Sequence, residues 1–267
     1  MTDRRAIIFD IQRNSYVDGP GVRTAIFFKG CHLRCAWCHN PEGQNPMPEE
    51  MFYENRCQRC GLCEQAMSFV CPNEARIRCG REYSVAELLA ECEKDRLFFD
   101  TSGGGVTFSG GECMLQLDFL EELLKECKKR GIRTAVDTAG DLPYDAFERI
   151  LPYTDLFLYD LKCMDPDRHV RYTGVGNHRI LANLEKLLQT SVAVWVRIPL
   201  IPSVNDSEEE MQRIRDFFER CGKPESIELL PYHAMGEGKH RALGKTPHTF
   251  SVPTPQDVEY FRRLLCE

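Results

Sequence analysis

Apolar residues along this chain follow two alternating rhythms. Short apolar runs rich in β-branched and aromatic residues stand at 23–30 (RTAIFFKG), 105–111 (GVTFSGG), 132–138 (IRTAVDT), 155–162 (DLFLYDLK), 192–199 (VAVWVRIP) and 226–232 (SIELLPY). Each has the length and composition of a buried strand. Between the later runs, apolar residues recur three and four apart, the period of a helix that buries one face. A helix from about Leu115 carries Phe119, Leu120, Leu123, Leu124 and Cys127 and closes at Arg130-Gly131; shorter ones are expected near 144–151 and 180–189. Ser207 with Glu210 three residues on opens a capping box for a helix whose face holds Met211, Ile214, Phe218 and Cys221. Val258, Phe261, Leu264 and Leu265 mark a C-terminal helix. An earlier helix, capped by Ser84 and Glu87, carries Val85, Leu88, Leu89 and Cys92.

Strand and helix in alternation predict an α/β protein. Six strands of parallel character are two fewer than a complete barrel, so the expected architecture is a partial (β/α)6 TIM-like barrel. Ligands gather at the carboxyl ends of such strands. The polar residues found there are Cys31 to Cys38, Gly110-Gly111-Glu112, Asp137-Thr138, Asp160 and Lys162, Arg197, and Tyr232-His233. All six ends contribute, which points to one site across the top of an open barrel.

Of the 267 residues, 42% are hydrophobic, enough for a sizeable core. The net charge of −7, with no dense run of lysine and arginine, makes nucleic acid an unexpected partner. The apolar stretch at residues 6–9 stops at Asp10, short of a signal sequence, and no transmembrane span is present, so neither membrane nor export is expected and a cytoplasmic protein is. Cysteine changes the picture. There are 14, and eight of them (Cys31, Cys35, Cys38, Cys57, Cys60, Cys63, Cys71 and Cys79) fall in one short stretch. In a reducing compartment such clusters bind metal or do redox chemistry more often than they form disulfides. Cys92, Cys127, Cys221 and Cys266 lie on or beside apolar faces and read as small buried hydrophobes.

Cys31-x3-Cys35-x2-Cys38 supplies three thiolates in one loop with no fourth cysteine beside them. A structural zinc site needs four ligands, for which His32 or His39 would have to serve; an iron-sulfur cluster held by three cysteines keeps one iron open. The three-cysteine loop after an apolar strand resembles the radical S-adenosylmethionine (SAM) superfamily. VDGPGVRTAIFFKGCHLRCAWCHNPEG, with TFSGGE and YDLK further on, is similar to the glycyl-radical enzyme activating enzymes, and the likeness covers nearly the whole chain outside residues 51–80.

The resemblance implies that Cys31, Cys35 and Cys38 hold three irons of a 4Fe-4S cluster whose fourth iron takes the amino and carboxylate groups of SAM. It implies further that Gly110, Gly111 and Glu112 meet the amino group through backbone, that Asn40 and Lys162 contact the carboxylate, and that Asp137, Thr138 and Asp160 form the amino-group and monovalent-cation site. His233 would stand beside the ribose and adenine. Asp18 and Arg197 would face an incoming glycine loop, because the family's substrate is a protein, a glycyl radical enzyme that loses a hydrogen atom from a glycine Cα to the 5′-deoxyadenosyl radical. Flavodoxin or ferredoxin would supply electrons, under anaerobic conditions. Where the family usually has proline after GGE, this chain has Cys113, which reads as a packing substitution.

Residues 51–80 interrupt residues 1–50 and 81–267, which would form the barrel. Their Cys57-x2-Cys60-x2-Cys63 followed by Cys71-Pro72 resembles half of a bacterial ferredoxin and implies one auxiliary 4Fe-4S cluster. Its fourth ligand could be Cys71, which is favoured, or Cys79, or the position could be open; a zinc knuckle is the rival. Two other functions compete, a radical SAM enzyme acting on a small molecule and an electron carrier using both clusters. A carrier has no use for an open iron.

Overall fold

The computed structural model describes residues 4–64 and 70–266, without the side chain of Cys266. The expectation for that cysteine therefore lies outside the described residues. The elements in chain order are β1 (Arg5–Ser15), β2 (Arg23–Phe28), β3 (Glu49–Phe52), β4 (Arg76–Cys79), β5 (Arg81–Ser84), α1 (Val85–Glu93) and α2 (Arg96–Ser102). There follow β6 (Gly105–Gly110), α3 (Leu117–Lys129), β7 (Thr134–Thr138), α4 (Tyr144–Ile150), β8 (Leu156–Asp160), α5 (Pro166–Thr173) and α6 (His178–Leu188). The chain ends with β9 (Ala193–Leu200), α7 (Glu208–Cys221), β10 (Ser226–Pro231), α8 (Met235–Ala242) and α9 (Pro255–Cys266).

One sheet runs in the order β10-β9-β8-β7-β6-β2-β1-β5. The six strands from β2 to β10 pair in parallel, as expected. The strands β1 and β5, however, extend the sheet antiparallel beyond β2. They were not expected, and the reason is chemical. Only Ala6 and Ile8 of β1 are buried and its far half is Asp10, Gln12, Arg13 and Asn14, so it carries little apolar rhythm and is held by its backbone ladder. The helices α2, α5 and α8 were likewise not expected; α8 buries only Gly236 and Ala242.

Burial alternates along β9. Val194, Val196, Ile198 and Leu200 face the helices, and Ala193, Trp195, Arg197 and Pro199 face the barrel interior. Near the strand starts Ala135, Leu156 and Leu158 pack with Ala193 and Trp195 inside the barrel. Two residues further along each strand, on the same face because side chains alternate, stand Asp137, Asp160 and Arg197. A charged layer thus sits directly above an apolar one.

Outside the barrel, Phe28 meets Phe108 and Phe119 edge to face with ring centroids 6.3 and 6.2 Å apart, joining β2, β6 and α3. Cys92, Cys127 and Cys221 lie in this core, as does Cys113, whose thiol donates to Phe108 O at 3.3 Å. The helix α3 begins at Leu117 because residues 113–116 form a 3₁₀ turn. Ser84 and Glu87 complete their capping box. Ser207 does cap α7, but the Glu210 side chain does not close the box: it crosses to accept from Met164 N, satisfying a backbone donor in the loop after β8.

Residues 49–79 leave the barrel as a hairpin in which β3 pairs with β4, Glu49 opposite Cys79 and Phe52 opposite Arg76. Its base is tied down where buried Lys29, just past β2, donates to Glu49 Oε1 at 3.1 Å. Among the described residues no helix is long and apolar enough to cross a membrane.

Candidate functional site

At the carboxyl ends of the parallel strands lies a cleft of about 200 Å³. It is walled by Cys31, Cys35, Cys38 and Asn40 on one side and by Gly110, Gly111, Asp137, Thr138, Asp160, Lys162 and Arg197 on the other. These eleven residues, expected at the strand ends or in and beside the cysteine loop, are brought to a single site by strands that need no shared sequence neighbourhood, only parallel order.

The cysteine loop is fixed by backbone bonds from two sides. Cys31 N donates to Gln44 O at 3.2 Å, and Arg34 N and Ala36 N donate to Thr173 O and Tyr172 O at the end of α5. Below the loop Ala36 and Trp37 pack with Ile201, Val204 and Tyr232. Burial pushes the Cys31 and Cys35 thiols up to about 12 and raises Cys38 as well. This happens although Leu33 N–H points at the Cys31 sulfur and Asn40 N–H and the Gln44 amide point at Cys38. Three half-buried sulfurs that receive N–H donors and are held toward the protonated form suit a cation-rich cluster, which would deprotonate them on binding. Among the described residues no three His, Cys, Asp or Glu side chains converge as on a single ion. Cysteines that each take a different iron of a cubane need not converge on one point.

Gly110 and Gly111 explain themselves by close approach. A Cβ on Gly111 would stand 2.3 Å from Gly30 O and 2.4 Å from Gly43 O, and one on Gly110, where φ is +119°, 2.3 Å from Phe28 N. The two glycines let β6 wedge between β2 and the chain after the cysteine loop while their backbone lines the cleft. Glu112, in contrast, turns away from the cleft. Its buried carboxylate accepts from Thr138 Oγ1 at 2.9 Å and Ala139 N at 3.0 Å, locking the end of β6 to the end of β7, and burial raises it to about 7.

Asp160 and Lys162 pair at 2.8 Å under the cysteine loop. Burial alone would lower the Lys162 ammonium, but Asp160 and then the Cys35 sulfur outweigh it and raise it. Asp137 accepts from Ser109 Oγ at 2.6 Å and lies 3.4 Å from Arg197 Nη1. Burial, opposed by Arg197 and reinforced by Asp160, pushes Asp137 up to about 6. Arg197 is desolvated too, yet Asp137, Asp160 and Asp18 keep it charged, and its Nε is buried without a partner.

Asp18 is buried lower in the barrel interior and does not line the cleft. Its carboxylate accepts from Ser15 Oγ and its carbonyl from Thr107 Oγ1 at 2.6 Å. The loop that carries it is held by buried Arg23, which donates to Thr107 Oγ1, Val106 O and Pro20 O. His233 stands beside the cleft wall, stacked on His39 with ring centroids 3.8 Å apart. Burial, then the charges of His233 and Lys239, push His39 down to about 4.

In the hairpin, the five cysteines have different surroundings. The Cys71 thiol is lowered by the backbone N–H groups of Arg76, Asn73 and Ala75, and the Arg76 guanidinium also reaches Cys63. Cys57 accepts from Arg59 N at 3.4 Å, and Cys60 is exposed. Cys79 is instead buried at the hairpin base against Met51 and Ala242, three strand residues from Arg76. That is about 10 Å away along a strand.

The residues that sequence reasoning missed are Lys239 and His240 of α8, Gln44 and Arg23. Lys239 Nζ donates to Asn40 Oδ1 at 2.9 Å and Glu42 Oε1 at 2.5 Å, and His240 Nε2 is 3.1 Å from Cys38 O. Nothing in the apolar pattern points to them. Arg23 hid inside an apolar strand, and α8 has no apolar face.

Residues 25–214 match the model of the radical SAM superfamily. The chain is 41% identical over 297 aligned positions to the choline trimethylamine-lyase activating enzyme of Oleidesulfovibrio alaskensis, covering 100% of this chain and 96% of that one. It is 40% identical to the pyruvate formate-lyase 2-activating enzyme of Escherichia coli, covering 96% and 87%, and 37% identical to the trans-4-hydroxy-L-proline dehydratase activating enzyme of Clostridioides difficile, covering 97% and 95%. Among solved structures it is similar to a domain of the pyruvate-formate lyase-activating enzyme of Bacteroides vulgatus, with a TM-score of 0.53 and 32% identity over 61% of this chain and 93% of that one. A radical SAM methyltransferase from Sphaerobacter thermophilus, at 15% identity, shares the fold with a TM-score of 0.60 over 98% of this chain and 73% of the other.

Proposed function

Because the chain belongs to the radical SAM superfamily, among the activating enzymes of glycyl radical enzymes, we propose that its cleft binds SAM against a 4Fe-4S cluster on Cys31, Cys35 and Cys38 in order to activate such a partner. The observation that carries the assignment is the cleft itself, where three half-buried thiols face the Asp160–Lys162 pair and the Gly110-Gly111 backbone. Bound there, the cluster supplies the electron that splits the sulfonium of SAM into methionine and a 5′-deoxyadenosyl radical, which takes a hydrogen atom from a glycine Cα of the partner.

The protein's own contribution is placement and exclusion of water. Lys162 presents its ammonium to the carboxylate of SAM, Asn40 adds a second donor, and Gly110 and Gly111 leave backbone room for the amino group. Asp137, Thr138 and Asp160 offer oxygen atoms for the amino group and a monovalent cation, although the Thr138 hydroxyl is already given to Glu112. His233, stacked on His39, is assigned to the ribose and adenine side. Arg197, which lines the cleft, and Asp18, buried below it, are assigned to the incoming glycine loop.

The proposal extends to residues 51–80, as an insertion separate from the barrel of 1–50 and 81–267 that carries one auxiliary 4Fe-4S cluster on Cys57, Cys60, Cys63 and Cys71. The N–H donors at Cys57 and Cys71 support it, since such bonds stabilise cluster thiolates. Burial of Cys79 at the hairpin base leaves Cys71 as the favoured fourth ligand. Flavodoxin or ferredoxin is the proposed electron donor, and the cytoplasm, where cysteines stay reduced, the proposed location. The test is SAM turnover by reconstituted, reduced protein with and without a glycyl radical enzyme. A partner-dependent burst of deoxyadenosine is expected, and steady consumption of a metabolite in the partner's absence would favour the small-molecule alternative.

A further inference from the structure

Helix α8 grips the cysteine loop at several points. Gly236 lies so close that a Cβ there would stand 2.7 Å from Cys38 O and 2.9 Å from His39 Cα. His240 Nε2 is 3.1 Å from Cys38 O, and just past the helix Lys245 Nζ donates to Gln44 Oε1 at 3.2 Å. Between these contacts Lys239 Nζ bridges Asn40 Oδ1 at 2.9 Å and Glu42 Oε1 at 2.5 Å. The Glu42 carboxylate is buried and its second oxygen has no partner, so it anchors the ammonium firmly in place.

The consequence lies in the chemistry of an amide. Asn40 lines the cleft, and one branch of its side chain accepts hydrogen bonds while the other donates them. Which branch points where is settled by the neighbours. An ammonium has only hydrogens to offer, so the branch facing Lys239 is the carbonyl and the branch left for the cleft is the NH2. We infer that Lys239 is a positioning residue, holding Asn40 Oδ1 so that Asn40 Nδ2 is presented to the cleft as a donor for the carboxylate of the bound amino acid. Without the ammonium the amide is free to turn over and set an oxygen against that carboxylate. The inference rests on the reading that the cleft binds SAM.

The test is the dissociation constant for SAM of iron-reconstituted protein, measured by equilibrium binding, with iron content and melting temperature followed alongside. Lys239→Met should weaken binding about tenfold at unchanged iron content, and Lys239→Arg, which keeps a donor, should stay within about threefold of the parent. The effect must pass through Asn40. In an Asn40→Ala background, itself about tenfold weaker, Lys239→Met should therefore add no more than about twofold. A further tenfold loss in that background, or no loss in the single variant, overturns the inference. Should Lys239→Met fail to hold iron, Asn40→Asp decides. Replacing the NH2 by oxygen at constant shape must weaken binding beyond Asn40→Ala, and binding equal to or tighter than that of Asn40→Ala overturns the inference. A parent protein carrying its full iron that binds no SAM would instead defeat the reading of the cleft on which all this rests.

Discussion

The cleft and the hairpin each carry three closely spaced cysteines, yet the thiols of the cleft and Cys71 of the hairpin, all of which receive N–H donors, respond in opposite directions. Cys35 and Cys31 are pushed up to about 12, whereas Cys71, its sulfur surrounded by the N–H groups of Arg76, Asn73 and Ala75, is lowered. Donors to the sulfur are present in both places, so they do not decide the sign. Burial does, because removing a thiolate from water costs more than two or three N–H bonds return. Burial thus holds the cleft thiols toward their protonated form. Among the hairpin sulfurs Cys60 is exposed and Cys57, Cys63 and Cys71 are half-buried.

The sharpest way to break this division is to remove each set in turn. Cys31, Cys35 and Cys38 changed together to alanine should lower SAM cleavage by about a thousandfold or more, since the assigned chemistry has no other route, and leave about half of the roughly eight irons expected for two cubanes. Iron analysis and deoxyadenosine formation check this, and retained cleavage would end the assignment. A second contrast uses glycine. Gly111→Ala drives a Cβ to 2.3 Å from Gly30 O, while Gly61 in the hairpin has a φ of +70° and open space around it. Chemical denaturation should show a loss of roughly 3 kcal/mol for the first from overpacking against backbone, and about 1 kcal/mol for the second from the left-handed conformation alone. Equal losses would mean that the cleft is not the wedged structure described above.

Asp160→Ala or Lys162→Ala should weaken SAM binding about tenfold to a hundredfold, on the order of 1.5 to 3 kcal/mol for a lost charged hydrogen bond, with iron content unchanged. Unchanged affinity in both variants would remove the pair from the ligand site. The smallest effect is expected at the hairpin. With Cys57, Cys60 and Cys63 changed to alanine, deoxyadenosine formation should persist with a small chemical reductant and fall several-fold with flavodoxin or ferredoxin, because only a docking protein needs a relay. Equal loss with both donors would indicate a structural role for the hairpin, and equal activity with both would remove the relay.

The parallel strands were legible because helices cover one face and the barrel interior encloses the other, which makes each a nearly continuous apolar run such as β2, buried at every position. Their polar ends were legible for the same reason, since Asp137, Asp160 and Arg197 interrupt runs that are otherwise apolar. What escaped was whatever depends on contact across the sequence. β1 is held by its ladder, and Glu210 is drawn from its cap to Met164 N, 46 residues away. Lys239 meets Asn40 across 199 residues, from a helix without an apolar face. The glycines of β6 were expected to yield space to a ligand, and the structure shows that neighbouring backbone already requires it. Glu112 reads as a cleft residue by position, but its side chain spans to Thr138 and Ala139 behind the wall.

The central claim is that the cleft makes a radical and delivers it to a protein. Reduced, iron-loaded protein mixed anaerobically with SAM and a glycyl radical enzyme should produce an electron paramagnetic resonance signal of a carbon-centred radical on the partner. Its hydrogen splitting should collapse when the partner's glycine carries deuterium at Cα, and that deuterium should appear in 5′-deoxyadenosine. SAM cleavage that proceeds without deuterium transfer, and without a radical on any glycyl radical enzyme supplied, would contradict the account.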